Sequence, residues 1–200
     1  MLNKIVVIAT HNQGKVEEFK EFFKGIDVKV ESLRDFPAFK LPPEAERTFA
    51  ENATVKARLV AALTELPAIG DDSGLEVDYL NGAPGIYSAR FAGEPIDDQK
   101  NNEKLLSLLE GVPWEKRTAR FRCALAFVTS DGDTHIAEGT LEGIITTEPR
   151  GNFGFGYDPL FYVPQYNKTL AELGAEVKNK ISHRAIAFKK LLPYFKEFNE

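Results

Sequence analysis

The sequence has only one cysteine, one methionine and one tryptophan among its 200 residues. A single cysteine excludes an internal disulfide and offers no cysteine pair with zinc-ligand spacing. Cys123 lies in an apolar run, which predicts a buried and unreactive side chain. This cysteine usage is typical of a reducing compartment, so we expect a cytoplasmic protein.

Long apolar runs and an excess of basic residues are also absent. The longest apolar run, residues 123–128, is far shorter than the ~20 residues that a membrane-spanning helix needs. Residues 5–9 are too few for the apolar core of a secretory signal. The formal net charge is −5, which argues against broad binding to nucleic acid or membrane surfaces. Basic residues that serve an anionic ligand must therefore be few and local.

The overall composition is that of a globular protein, with 43% hydrophobic and 28% charged residues. A chain of this length forms one domain, or one domain with two lobes, with a sizeable core. No internal repeat, low-complexity tract or linker interrupts the sequence, so we expect a single domain over residues 1–200.

Apolar periodicity predicts alternating strands and helices. Strands are predicted at residues 4–9, 27–33, 75–78, 118–129, 134–147 and 160–163, and helices at 16–24, 48–66, 97–109, 169–178 and from 182 onward. Residues 37–43 contain three prolines and are predicted to be irregular. Because a hairpin at 130–133 lies among helix–strand units, we predict an α/β fold with a mixed sheet.

Residues 67–93 combine an apolar run, two adjacent acids, a Ser-Gly pair and a loop rich in glycine and proline. Ligands of α/β proteins collect at strand ends, so Asp71 and Asp72 are candidates for a metal–phosphate site. Neighbouring side chains of a regular strand point to opposite faces, so only one of the two can face the site. The alternative is that both acids simply begin a turn.

The junction between the first strand and the first helix, residues 10–15, is a candidate anion site. Backbone amides and the positive end of a helix can bind phosphate there. The loop is not a Walker A motif, because Val16 stands where the magnesium-binding Ser or Thr would be. A plain helix start is the alternative interpretation.

Thr48 and Glu51 form a capping box at the start of the second helix. Asn52 and Lys56 are four residues apart on that helix and could lean together toward the strand ends. Glu44 and Glu46 precede the helix as dipole partners or, with Asp72, as ligands of Mg²⁺.

A second group of candidates lies in the last third of the chain. Phe153, Phe155 and Tyr157 alternate with glycines, and such aromatic residues either stack on a base or cover the core. Ser182 with its two successors is either a helix cap or a cluster of hydrogen-bond donors. The cations Lys15, Lys56, Arg90 and Lys178 are either solvated charges or a shared phosphate cradle.

Taken together, these segments resemble the inosine triphosphatase family, the XTP/dITP diphosphatases, nearly from end to end. The segments that carry the resemblance are Thr10-x-Asn12-x-x-Lys15, Thr48-Phe49-x-Glu51-Asn52-Ala53 with Lys56, Asp71-Asp72-Ser73-Gly74-Leu75, residues 82–90 (GAPGIYSAR), residues 154–159 (GFGYDP) and Ser182-His183-Arg184.

The resemblance implies a two-lobed α/β fold with an elongated mixed sheet flanked by helices, and a homodimer. It also implies Mg²⁺-dependent hydrolysis of a purine nucleoside triphosphate such as ITP, dITP or XTP to the monophosphate and pyrophosphate. Such an enzyme removes deaminated purines from the nucleotide pool. No nucleic acid or membrane partner is implied.

The resemblance also implies roles for individual residues. Asp72 becomes the proton acceptor and a metal ligand, and Glu44 the second metal ligand. Glu46 stands where the family usually has glycine, so either of the two glutamates can be that ligand. The phosphate contacts are Asn12, Lys15, Lys56 and Ser73, and the nucleoside pocket contains Phe155, Gly156, Tyr157, Asp158, Lys178, His183 and Arg184. The substrate-binding set also includes Thr10, His11, Gln13, Gly14 and Arg90, with no separate role for His11.

Hydrogen-bond chemistry favours 6-keto purines in such a site. Donors from His183 and Arg184 would pair with a 6-keto oxygen but would face the amino group of adenine without an acceptor. Two alternatives remain: a non-catalytic sensor of purine nucleotides, and a pyrophosphatase for modified pyrimidine nucleotides.

Overall fold

The computed structural model describes residues 4–36, 41 and 48–199. Glu44, Glu46 and all of the proline-rich stretch 37–43 except Leu41 lie outside the described residues. Within the described part, no helix has the length and apolarity that a membrane span requires.

Seven strands form one mixed sheet in the order β2-β1-β3-β4-β5-β6-β7. β1 pairs in parallel with β2 and β3, and β6 pairs antiparallel with β5 and β7. The strands are β1 (Ile5–Ile8), β2 (Lys29–Ser32), β3 (Ala68–Val77), β4 (Thr118–Val128), β5 (Thr134–Ile145), β6 (Phe161–Val163) and β7 (Lys168–Thr169). The prediction of an α/β fold with a mixed sheet is confirmed.

Five α-helices accompany the sheet among the described residues. They are α1 (Gln13–Phe22), α2 (Phe49–Thr64), α3 (Asp98–Leu108), α4 (Leu170–Ile181) and α5 (His183–Asn199). The capping box of α2 is present, because the Thr48 side chain accepts from the Glu51 backbone and the Glu51 carboxylate bonds back to Thr48. α1 begins three residues earlier than predicted, because Asn12 caps it.

The prediction that the central strand, β3, is limited to residues 75–78 was wrong. β3 is continuous from Ala68 to Val77, so the acids and the following Ser-Gly pair lie inside a strand. The turn interpretation of Asp71 and Asp72 is therefore excluded. Both carboxylates are buried in the strand, where neighbouring helices supply the cations and amides that a turn or water would otherwise supply.

The chain divides into two compact units. Unit 1 contains the described parts of Met1–Asp72, Cys123–Gly139 and Arg184–Glu200, and unit 2 contains Ser73–Arg122 and Thr140–His183. Each unit has its own apolar core. The core of unit 1 includes Ile8, Phe19, Ile69, Leu125, Phe127 and Phe188, and that of unit 2 includes Leu75, Leu105, Phe121, Leu160, Phe161 and Leu170.

Candidate functional site

Asp71 lies in the middle of β3 with 1% of its surface exposed, and two cations bind it. The Arg184 guanidinium donates from Nε to Asp71 Oδ2 at 2.5 Å and from Nη2 to Oδ1 at 3.4 Å. The Lys15 ammonium forms an ion pair with Oδ1. Burial by itself raises the pKa of Asp71, but Arg184 and Lys15 more than reverse this and hold the pKa well below its usual range.

Arg184 also binds a second acid, Glu18 of α1, through Nη1 at 2.6 Å. Burial lowers the pKa of the guanidinium, but Asp71 and Glu18 outweigh burial and raise it well above its usual value. Lys15, Asp71, Arg184 and Glu18 therefore form a buried chain of alternating charge in unit 1. A buried charge persists only when partners of this kind compensate it.

Cys123 borders this chain from β4. Its thiol is buried and donates to Asp71 Oδ2 at 3.6 Å. Burial, followed by the negative charge of Asp71, raises the pKa of the thiol well above its usual value. The prediction of a buried and unreactive cysteine agrees with this position.

Asp72 has a different environment, because its side chain lies on the α2 side of β3. Its Oδ1 accepts from Lys56 Nζ and its Oδ2 from Asn52 Nδ2, both at 3.0 Å. The prediction that the Asn52 and Lys56 side chains extend in the same direction from one face of α2 is confirmed. The two acids of β3 therefore contact different helices, as strand alternation requires.

Gly70 sets how closely α2 approaches β3. A Cβ atom at this position would lie 1.9 Å from the carbonyl oxygen of Ala53 and 2.9 Å from the backbone nitrogen of Ala57. The missing side chain thus lets the helix backbone lie directly on the strand. Because Gly70 and Asp72 are two residues apart on the same face, this approach also brings Asn52 and Lys56 to the carboxylate.

The loop before α1 has the geometry of a helix N-terminus. Asn12 Oδ1 accepts from the Lys15 backbone nitrogen at 3.2 Å, and Thr10 Oγ1 accepts from the Asn12 backbone at 3.1 Å. His11, Asn12 and Gln13 are exposed, and Lys15 reaches back to Asp71. The exposed start of α1 therefore lies close in sequence to an ammonium group, and a helix N-terminus of this kind suits an anion.

The aromatic candidates lie in unit 2. Asp158 Oδ2 accepts from the Phe155 backbone nitrogen at 3.0 Å and from Lys178 Nζ at 2.5 Å. The same ammonium lies 4.3 Å from the centre of the Phe155 ring. Asp158 and Lys178 are buried, whereas Phe155 is only half-buried. The ammonium of a buried ion pair therefore lies against the half-buried Phe155 ring.

Tyr157 belongs to the core of unit 2. Its hydroxyl donates to the Ser88 carbonyl at 2.8 Å, and burial, aided by the charge of Asp98, raises its pKa. His183 is buried and stacks on Phe121, with the ring centres 4.7 Å apart. The core-covering interpretation of the loop aromatics thus describes Tyr157 but not Phe153, which is 63% exposed.

The candidate residues divide between the two units, and Glu44 lies outside the described residues. Unit 1 contains Thr10, His11, Asn12, Gln13, Gly14, Lys15, Lys56, Asp72 and Arg184, and unit 2 contains Ser73, Arg90, Phe155, Gly156, Tyr157, Asp158, Lys178 and His183. Arg184 was expected beside the nucleoside. Its guanidinium bonds to Asp71 and Glu18, which compensate its buried charge, and the expected nucleoside contact stays a prediction.

Sequence reasoning missed Glu18, Asp98 and Asn102. Glu18 lies one helical turn after Lys15, and that spacing alone could have placed both on one face of α1. Asp98 Oδ2 accepts from the Gly156 backbone at 2.7 Å, and Asn102 Nδ2 donates to the Gly156 carbonyl at 3.0 Å. These two residues are 58 and 54 positions from their partner, so no local signal marks them.

The described acids can supply only part of a metal site. No group of three or more His, Cys, Asp or Glu side chains among the described residues is arranged to hold an ion. Asp71 is committed to Arg184 and Lys15, whereas Asp72 accepts one charged and one neutral hydrogen bond. Carboxylate oxygens are the ligand type that a hard cation prefers, and the two adjacent acids of β3 differ in that only Asp71 is bound by a guanidinium.

Three comparisons place the chain among known proteins. The family model described as Ham1 family matches residues 6–194. A dITP/XTP pyrophosphatase of Desulforamulus reducens is 57% identical over 94% of this chain and 93% of its own length. A protein of the same name from Halalkalibacterium halodurans is 52% identical over 92% and 95%, respectively.

Solved structures agree with the sequence matches. The structure of the Staphylococcus aureus Ham1 protein superposes with a TM-score of 0.84 at 44% identity and covers 98% of this chain and 100% of that one. The resemblance drawn from the motifs is thereby confirmed. The chain belongs to the Ham1 family.

Proposed function

We propose that this chain is a Mg²⁺-dependent pyrophosphatase that hydrolyses ITP, dITP and XTP to the nucleoside monophosphate and pyrophosphate. The names of the relatives described above support this substrate class. The observation that carries the proposal is the position of Asp72. It is a buried carboxylate bound by Lys56 and Asn52, next in the strand to the Asp71–Lys15 ion pair.

Asp72 is the proposed catalytic residue. Lys56 and Asn52 fix the orientation of its carboxylate, and a fixed carboxylate can orient water and take its proton. Positioning and electrostatics are most of what phosphoryl chemistry requires of a protein. We assign the phosphate contacts to Lys15, Lys56 and Ser73 and to the loop of Thr10, His11, Asn12, Gln13 and Gly14, with Arg90 as a further cation.

Asp72 also suits the role of magnesium ligand, and either Glu44 or Glu46 is the proposed second carboxylate. Few protein ligands are needed, because Mg²⁺ is usually held by one or two carboxylates together with substrate phosphates. When bound, the ion would neutralise charge on the phosphates. Chelation by EDTA should abolish activity, and added Mg²⁺ should restore it. Full activity after chelation would exclude the metal.

Phe155, Gly156, Tyr157, Asp158, Lys178 and His183 form the proposed nucleoside pocket. Phe155 is the stacking residue, since Lys178 holds one face of its ring. His183 and Arg184 are the proposed donors that select a 6-keto purine, because a donor that faces an amino group leaves a hydrogen bond unmade. Arg184 is thus a proposed substrate-binding residue, and Asp71 and Glu18 orient its guanidinium.

The proposal also covers the domain organisation, the oligomeric state, the cellular compartment and the class of partner. We propose a single functional domain over residues 1–200 that acts as a cytoplasmic homodimer. The net charge of −5 supports a function without nucleic acid.

The test is a pyrophosphate-release assay on ITP, XTP, dITP, GTP and ATP, together with a modified pyrimidine triphosphate. We expect Mg²⁺-dependent release from the three deaminated purines far above release from ATP. Equal turnover of ATP and ITP would contradict the specificity. Tight binding of ITP without hydrolysis would identify a nucleotide sensor instead, and preference for the pyrimidine would identify the other alternative.

A further inference from the structure

Helix α3 binds both polar backbone groups of Gly156. The carboxylate of Asp98 accepts from the Gly156 nitrogen at 2.7 Å, and the amide of Asn102 donates to the Gly156 carbonyl at 3.0 Å. Asp98 and Asn102 are four residues apart, so they project from the same face of the helix. Gly156 has a φ of +60°, a conformation that few other residues adopt. One helix face therefore fixes one unusual backbone position.

The same helix fixes a second loop of unit 2. Asn101 is 2% exposed, and its amide accepts from the Ala92 nitrogen at 2.7 Å and donates to the Ala89 carbonyl at 2.9 Å. Lys104 donates to the Phe91 carbonyl at 2.5 Å. These bonds enclose Arg90 on both sides along the chain.

A direct bond also joins the two loops. Tyr157, the residue after Gly156, donates from its hydroxyl to the Ser88 carbonyl at 2.8 Å. Ser88 Oγ in turn accepts from the Leu75 nitrogen of β3 at 2.8 Å and donates to the Gly85 carbonyl at 2.6 Å. The two loops and α3 thus constrain each other through hydrogen bonds, of which the Tyr157–Ser88 and Ser88–Leu75 bonds are buried.

An asparagine at position 102 carries a free-energy cost in the folded protein. Its Oδ1 is buried and accepts no hydrogen bond from any described residue. A buried acceptor without a partner costs free energy, which offsets what its Nδ2 bond to Gly156 contributes. Leucine would avoid that cost beside the neighbouring core residue Leu105. The amide therefore contributes little net stability, and its effect is on the geometry of the loop.

We propose that Asp98 and Asn102 are positioning residues for base recognition. By fixing Gly156, they fix the adjacent Phe155 ring and the Asp158–Lys178 pair, which bonds to the Phe155 backbone. α3 also sets the position of the Arg90 loop relative to this pocket through Asn101 and Lys104. The inference rests on the proposed function, because base recognition by this loop requires that the chain bind a purine nucleotide there.

The first experiment measures kcat and KM for ITP and ATP in Asn102→Leu and in Lys100→Leu, a control on the exposed side of α3. For Asn102→Leu we expect an unchanged or higher urea midpoint, a kcat for ITP within about 2-fold and a KM raised about 5-fold, the equivalent of one typical hydrogen bond. The ratio of ITP to ATP turnover should fall, and Lys100→Leu should match wild type. Unchanged KM and specificity in Asn102→Leu would overturn the proposal.

The second experiment separates the role of Asp98 from a general structural effect. Asp98→Ala should raise KM in the same way, whereas Asp98→Asn should recover most of the loss, because its amide oxygen can still accept from the Gly156 nitrogen. If Asp98→Asn and Asp98→Ala are equally impaired, the backbone bond is not the cause and the positioning role of Asp98 is excluded.

Hydrogen exchange distinguishes failure of this inference from failure of the proposed function. In the ligand-free protein, the Gly156 amide should exchange faster in Asp98→Ala than in wild type, because its acceptor is lost. Unchanged exchange would overturn the proposed constraint whatever the activity. If exchange accelerates as expected but wild type releases no pyrophosphate from any nucleotide, the proposed function fails and base positioning fails with it, although the constraint on the loop stands.

Discussion

Asp71 and Asp72 are neighbours in β3, yet they bind cations that come from different helices. Asp71 binds Lys15 of α1 and Arg184 of α5, whereas Asp72 binds Lys56 of α2. The alternation of a strand separates the two carboxylates onto opposite faces. This separation gives two adjacent and identical side chains different tasks, and single substitutions can tell those tasks apart.

Asp72→Asn should remove catalysis and also lower stability, because the buried Lys56 ammonium loses a charged partner. The amide keeps the shape of the side chain but cannot take a proton from water, so kcat for ITP should fall about 10²–10⁴-fold. KM should change less, because Lys15 and the loop before α1 keep their positions. Asp78→Asn is the matched control, since Asp78 bonds to Thr118 and Arg120 at the surface. A kcat within a few-fold of wild type in Asp72→Asn would exclude Asp72 as the proton acceptor.

Asp71→Asn should act mainly on stability. The substitution removes the negative charge that Asp71 places beside the buried Arg184 guanidinium, while the Glu18 ion pair stays. Breaking a buried ion pair from one side typically costs about 3–5 kcal/mol, because a desolvated charge remains. Urea denaturation at neutral pH measures the loss. A free energy of unfolding within about 1 kcal/mol of wild type would contradict the structural role.

The effect of Asp71 on stability should depend on pH in one direction. Arg184 and Lys15 hold the pKa of the folded carboxyl well below the value of about 3.9 that it has in an unfolded chain. On acidification the unfolded chain therefore takes up the proton first, which favours unfolding. The stabilisation is complete above about pH 5 and declines below about pH 4, with about 1 kcal/mol lost at pH 3.

Comparison of wild type with Asp71→Asn isolates this contribution, because every other acid titrates in both proteins. The difference in the free energy of unfolding should be constant from pH 5 to 8 and should shrink from pH 4 to 3. A difference that stays constant down to pH 3 would show that the pKa of Asp71 is not lowered.

The sequence predicted most elements that depend on local signals. The capping box of Thr48 and Glu51 marked the start of α2, and alternating apolar residues marked β4 and β5. It failed at β3, where Asp-Asp-Ser-Gly has the composition of a turn. Cations of α1, α2 and α5 and the amide of Asn52 compensate the two buried carboxylates in the strand, and no local pattern reveals those partners.

The candidate site shows the same limit. Asn52 and Lys56 could be paired from their spacing on one helix, because four residues make one turn. Glu18 could not be paired with Arg184, since 166 residues separate them and both residue types are usually exposed. The position of Tyr157 could not be predicted from its neighbours in the sequence either. The glycines around it are typical of an exposed loop, but its ring packs in the core of unit 2.

Gly70→Ala should damage the active site through the backbone of α2. The added methyl group would lie 1.9 Å from the Ala53 carbonyl oxygen, so α2 must move away from β3. Overpacking of this kind typically costs about 1–3 kcal/mol. Because Asn52 and Lys56 are on the same helix as Ala53, the shift should also withdraw them from Asp72. We expect kcat for ITP to fall at least about 10²-fold, comparable to the loss of a positioned catalytic group.

Gly143→Ala provides the matched control for Gly70→Ala. It adds the same methyl group to β5 of unit 2, at 2.5 Å from the Phe161 ring, without touching α2. It should lower the urea midpoint by a similar amount and leave kcat close to wild type. If the two variants lose stability and kcat in parallel, loss of catalysis merely follows destabilisation. If only Gly70→Ala loses kcat, the close approach of α2 to β3 is what keeps Lys56 and Asn52 on Asp72.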